Sequence, residues 1–301
     1  MDFGKVDDRE LIEIDFKLPD DHTNTDKILN SLKGRKKKQK IYIGCAKWGR
    51  KEWLGKIYPP KTKGKDFVSH YVKQFNSIEL NATHYRIPSP DSVKKWKSDA
   101  GKDFKFCPKF PQWISHIRRL KNCERETEQF YNAISGFGEN LGTCFLQLAP
   151  NFALKTHKDL EAYAKALPKD THVCVEFRHP DWFKDNEITN DTFEMLRENH
   201  LGSVITDTAG RRDCAHMRLT SSTAFIRFVG NSLHPTDFTR IDDWVERLKK
   251  WLGLGLETLY FMMHMHDEKD SPELTAYTIR QLNKKCGLDL KEPVFYNSPQ
   301  N

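Results

Sequence analysis

The stretch Val173-Cys174-Val175-Glu176-Phe177-Arg178-His179-Pro180-Asp181-Trp182 concentrates the residue types that do chemistry. Val173, Val175 and Phe177 alternate with Cys174, Glu176 and Arg178, and successive side chains of a strand leave on opposite faces. One face is apolar. The other ends in a carboxylate and a guanidinium where Pro180 stops the strand. Charge at the end of a buried strand is costly unless it is paired or used. Glu176 in such a place suits a general base, and Arg178 suits a phosphate or carboxylate on a ligand.

The elements that must position this pair repeat along the chain. Strand-like runs at 41–46, 77–81, 104–109, 143–148, 172–178, 203–207, 224–228 and 258–265 alternate with helix-like runs at 65–75, 89–100, 120–137, 154–167, 191–199, 241–252 and 271–286. Ser89-Pro90-Asp91 and Ser271-Pro272-Glu273 read as helix starts, with proline at the first helical position. The helix after the sixth strand is missing or reduced to the 211–217 region. Eight strands alternating with helices over about 250 residues predict a (β/α)8 TIM barrel spanning 41–301, preceded by a charged extension, 1–40. A doubly wound open sheet competes, but Gly44-Cys45-Ala46-Lys47-Trp48-Gly49 is not a dinucleotide fingerprint.

Alternation within each strand then sorts the polar residues. Glu79, Asn81, Lys109, Gln147, Glu176, Arg178, Arg227, His264 and His266 fall on the inward face toward the strand ends, and Asp207 closes the sixth strand. Barrel enzymes carry their sites at that end. Catalytic work is assigned to Glu176, Glu79 and Asp207. Binding is assigned to Lys109, Arg178, Arg227, Asn81 and Gln147, joined from the loops by Tyr85, His116, His179 and Trp182. A structural ion-pair network is the bland alternative for any one of these charges. Aromatics at the expected mouth (Trp48, Trp53, Tyr58, Tyr85, Trp113, Trp182) suit stacking on sugars or nucleobases, or simple loop packing.

The acidic and basic members of the inward set balance, so the set resembles an anion site more than a metal cage. No cofactor is expected. The competing possibility is a divalent metal held by His264 and His266 with Glu176 or Glu79. Three functions remain open: an acid–base hydrolase or lyase acting on an anionic, phosphorylated or nucleotide-like molecule; a metal-dependent phosphodiesterase or nuclease; and a non-catalytic binder of nucleic acid or another ligand.

The bulk numbers narrow the setting. With 38% hydrophobic and 30% charged residues and no apolar run near the ~20 residues that span a bilayer, no membrane partner is expected. Residues 1–26 hold no apolar signal core. Seven cysteines without a CxxC pair point to a reducing, cytoplasmic protein with no structural zinc. The net charge of +7 is uneven: −5 over residues 1–30, +6 over 31–40 and +6 over the rest. The run Arg35–Lys40 can touch nucleic acid, but no aromatics interleave with it, which favours a solvated linker. Oligomeric state is not legible.

The chain resembles the domain-of-unknown-function 72 family, the YecE-like proteins. The resemblance rests on Gly44, Trp48, Trp53-Leu54-Gly55 and Tyr58-Pro59, then on Phe75-Asn76-Ser77-Ile78-Glu79-Leu80-Asn81-Ala82-Thr83-His84-Tyr85-Arg86-Ile87-Pro88. It continues through Phe104-Lys105-Phe106, Ser115-His116, Gln147-Leu148-Ala149-Pro150-Asn151-Phe152, Glu176-Phe177-Arg178-His179, Trp182 and Arg227. It implies a TIM barrel. A likeness of the family's pocket to barrel endonucleases is fold-level analogy. The chain departs from the family at Cys45-Ala46-Lys47, at Phe228-Val229-Gly230-Asn231 and at Met262-Met263-His264-Met265-His266, all at the expected mouth.

Overall fold

The computed structural model describes residues 3–35 and 37–296. Eight parallel strands form the wall: β1 Lys40–Cys45, β2 Ser77–Leu80, β3 Lys105–Pro108, β4 Cys144–Gln147, β5 Val173–Glu176, β6 Gly202–Asp207, β7 Thr223–Gly230 and β8 Thr258–Met265. Their order is 3-2-1-8-7-6-5-4. The two ends of that order meet through bridges at Phe106–Leu141 and Lys109–Phe145, with Phe110 N donating to Phe145 O at 3.0 Å. The fold is a (β/α)8 TIM barrel, as the alternation predicts.

The helices are α1 Thr23–Leu32, α2 Phe67–Tyr71, α3 Ala82–Tyr85, α4 Pro90–Asp99, α5 Glu124–Ser135, α6 His157–Ala166, α7 Glu187–Glu198, α8 Pro235–Gly253 and α9 Ser271–Cys286. α4 starts as its residues dictate, with Ser89 Oγ accepting from Ser92 N and Pro90 in the first turn. α8 begins six residues before the apolar pattern that predicts it, because His234 caps Thr236 N and Pro235 presets the first turn. After β6 only a 3₁₀ turn, Arg212–Cys214, remains.

Period-two alternation splits the strands into two layers of packing. Cys107, Phe145, Cys174, Val204, Phe225, Tyr260 and Met262 fill the barrel, while Ile78, Leu146, Val175, Ile226 and Phe261 pack outward on the helices. The inner aromatics form the floor on which the polar residues of the mouth rest.

The extension packs on the barrel. In α1 the buried Thr25, Leu29 and Leu32 share one face. Thr25 Oγ1 donates to Met217 O and accepts from Leu219 N, both at 2.7 Å. The basic run lies by the start of β8: Lys37 pairs with Glu257 at 2.8 Å, and Gln39 Nε2 donates to Leu252 O and Leu256 O. That is the N-terminal end of the barrel, opposite the mouth, where Gln39 and Lys37 tether the run while Arg35, Lys37, Lys38 and Lys40 stay exposed to solvent. Lys36 of this run lies outside the described residues.

Candidate functional site

Arg227 reaches inward from β7 and is fully buried. Its Nε and Nη2 donate to the two oxygens of Glu79, both at 2.8 Å, and its Nη1 donates to Glu176 at 2.8 and 2.9 Å. Glu176 also accepts from Thr206 Oγ1 at 2.6 Å and Gln147 Nε2 at 2.8 Å, and pairs with Arg178 Nη2 at 2.5 Å. Glu79 accepts from Asn81 Nδ2 at 2.9 Å and from His264 Nε2 at 2.8 Å. Six strands, β2 and β4 to β8, thus contribute to a network centred on one guanidinium flanked by two carboxylates.

The electrostatics follow from these partners. Burial pushes the Glu176 carboxyl up, but Arg178 and Arg227 outweigh it and hold it down at about 2. Glu79 is likewise held well below the carboxylate range by Arg227 and His264, against its burial. Both stay ionised with their oxygens occupied, so neither is poised to exchange a proton near neutrality.

Above this floor opens a cavity of about 400 Å³, lined by Ala46, Lys47, Asn81, Tyr85, Lys109, His116, Gln147, Pro150, Arg178, His264 and Glu268, with Phe3 reaching in from the extension. Lys109 Nζ donates to Gln147 Oε1 at 2.8 Å. Burial, reinforced by Arg227, lowers its ammonium to about 8. His116 sits on a π-helical turn, Trp113–Ile117, a distortion common at functional sites. Burial, with Lys109 nearby, lowers its imidazole to about 4, so it is neutral at pH 7. Ser115 Oγ donates to Pro111 O and lies 2.8 Å from His116 Nδ1. That hydroxyl therefore accepts from Nδ1–H, which leaves Nε2 with the basic lone pair.

Several residues assigned from the sequence are placed elsewhere. Asp207 faces the helix layer: Arg240 Nη2 reaches it at 2.7 Å, Trp244 Nε1 at 2.6 Å, and Arg212 Nη1 closes the group. Counting by twos from inward Val204 puts Thr206 inside and Asp207 outside. Trp182 is in the outer core, its Nε1 donating to Phe152 O at 2.7 Å and its ring on Phe177. His179 accepts from Asp181 N to cap a short 3₁₀ turn and does not line the cavity. His266 follows the end of β8, outside the cavity lining, while His264 lies between Glu79 and Glu268, 3.5 Å from the latter. Among the described residues no three His, Cys, Asp or Glu side chains are grouped to hold a metal ion.

Thr206, Glu268 and Phe3 were not anticipated. Alternation could have found Thr206, and Glu268 stands in the 3₁₀ turn that comes two residues after β8. Nothing local marks Phe3. Lys47 lies in a segment that departs from the family pattern.

The comparisons with known proteins agree with this architecture. A family model described as "Protein of unknown function DUF72" matches residues 42–295. The UPF0759 protein YecE of Escherichia coli K12 is 28% identical over 262 residues, covering 81% of this chain and 93% of its own. The UPF0759 protein YunF of Bacillus subtilis is 28% identical over 173 residues, 54% of this chain and 60% of its own. A crystal structure of a DUF72 family protein from Thermotoga maritima superposes with a TM-score of 0.60 at 22% identity, covering 81% of this chain and 99% of that one. One from Enterococcus faecalis does so with a TM-score of 0.63 at 16% identity, covering 87% and 99%.

Proposed function

The chain belongs to the DUF72 family, and from that premise we propose that its barrel mouth is an acid–base site for a small anionic molecule of phosphate-ester type. One observation carries the reading: among the described residues, the charged side chains lining the cavity are Lys47, Lys109 and Arg178 against the carboxylate Glu268. Glu79 and Glu176 lie beneath, consumed by Arg227, so the surface offered to a ligand is rich in donors.

The roles redistribute accordingly. Lys109 and Arg178 hold the anion, with Asn81 contributing a polar contact. His116, neutral and with Nε2 basic, takes the proton-accepting part first assigned to Glu176. Glu176, Glu79 and Arg227 form a rigid floor that fixes Arg178 and Gln147, and through Gln147 orients Lys109. At the rim Tyr85 is 74% exposed and Trp113 is exposed with Arg118 stacked on it at 5.3 Å. Those rings support a nucleotide-like ligand with a flat part to stack. All seven cysteines are free, which supports a reducing, cytoplasmic setting. Among the described residues no helix is long and apolar enough to cross a membrane.

The test is calorimetric titration with inorganic pyrophosphate, followed by a turnover screen over phosphate esters. Lys109→Met should weaken pyrophosphate binding at least tenfold, with stability changed by no more than about 1 kcal/mol. His116→Ala should keep binding and lose turnover by about a hundredfold or more. Equal binding by wild type and Lys109→Met would reject the anion site.

A further inference from the structure

The segment before residue 42 lies outside the family-matched unit, yet it supplies one wall of the cavity. The Phe3 ring stacks on Arg178, with the guanidinium carbon 3.7 Å from the ring centroid, and Arg178 is only 4% exposed. Both residues line the same cavity.

The seat for this ring is built into the β6 end of the barrel. Gly4 has φ +69°, and a Cβ there would fall 2.4 Å from Thr208 Oγ1. Gly210 N donates to Gly4 O at 2.8 Å, and a Cβ on Gly210 would crowd Gly4 O at 3.1 Å and Val6 at 3.0 Å. Farther along the arm, Phe16 lies against Arg212 and Arg240 at 5.2 and 5.0 Å, and its carbonyl accepts from Arg212 Nη2. These are the two arginines that grip Asp207. Asp21 is then held by Arg247, Lys250 and Trp251. The arm is pinned on both sides of a largely exposed middle in which Leu11 alone is buried among residues 7–15.

A guanidinium recognises anions through the N–H groups of its edge and aromatic rings through its face. Phe3 covers a face. Glu176 engages Nη2, and Nε is buried with no hydrogen-bond partner among the described residues. The ring can therefore fix the plane of Arg178 and exclude water from it without competing for an in-plane ligand. Resting on the anion site proposed above, we infer that Phe3 is the positioning residue for Arg178, and that the N-terminal arm completes the site for the phosphate-type anion.

The experiment uses the full chain with Phe3→Ala and Phe3→Tyr, inorganic pyrophosphate as probe, and ¹⁵N-arginine NMR. In the wild type, the Arg178 Nε–H resonance should carry a ring-current shift that Phe3→Ala removes and Phe3→Tyr keeps. Pyrophosphate affinity should fall about five- to tenfold in Phe3→Ala and recover in Phe3→Tyr, while the melting temperature moves by less than about 2 °C. Unchanged or tighter binding in Phe3→Ala overturns the inference, since the ring would then be idle or obstructive. A missing ring-current shift in the wild type overturns it through the seat alone, leaving the anion site standing. A present shift with no pyrophosphate binding in any variant overturns the anion site and this inference with it.

Discussion

Inside the barrel Arg227 lies between Glu79 and Glu176; outside it, between the wall and α8, Arg240 and Arg212 grip Asp207. The three carboxylates and the arginines Arg227 and Arg240 are buried to the same degree. The inner group borders a cavity lined by Lys109 and Arg178, and the outer is sealed by Trp244 Nε1 and supports the arm through Phe16. Buried charge therefore does not by itself mark a site. What separates the two networks is whether neighbouring donors face a space a ligand can enter.

The strongest way to break this division is to remove the central arginine of each network. Arg227→Met leaves two buried carboxylates short of their main partner and should cost about 5 kcal/mol or prevent folding. Arg240→Met should cost about 3 kcal/mol, because Asp207 keeps Arg212 and Trp244. Denaturant melts measure both. Arg240→Met should still bind pyrophosphate; losing that binding along with stability would merge the two networks into one.

Acid titration acts on both networks at once. Glu176 is held at about 2 when folded, below the ~4.3 of an unperturbed glutamate. The unfolded chain therefore takes up the proton first. The stabilisation is complete above about pH 4.5 and is lost as pH falls toward 2, amounting to about 3 kcal/mol. Asp207 is shifted in the same direction, by Arg240 and Arg212 acting against burial, so both networks should weaken together on the acid side. Stability that stays flat to pH 2 would contradict both sets of pairings.

The smallest effect belongs to the inner side alone. Lys109 titrates at about 8, so an anion that needs its charge binds best below that pH. Affinity for sulfate, whose charge is constant here, should fall about tenfold between pH 7 and 9. Lys109→Met should abolish that slope and Arg240→Met should leave it.

The barrel was legible because period two within strands, and strand–helix alternation between them, are local properties. Glu79, Lys109, Gln147, Arg178, Arg227 and His264 were brought together as alternation required. Asp207 ends its strand as a carboxylate that reads as a mouth residue, but alternation from inward Val204 turns it outward onto Arg240 and Trp244. Trp182 and His179 were misplaced because a loop aromatic or imidazole reads alike whether it lines a cavity, fills the core or caps a turn.

By itself the sequence determined which faces of the strands are polar, and hence where the mouth lies. Only the tertiary structure decided which charges consume one another and which remain for a ligand. Pairing depends on distances between residues as far apart in the chain as Glu79 and Arg227. It also decided that Phe3, about 175 residues from Arg178, stacks on that guanidinium. No local pattern encodes such a contact, because its physical cause is the seat that Thr208 and Gly210 make at the end of β6.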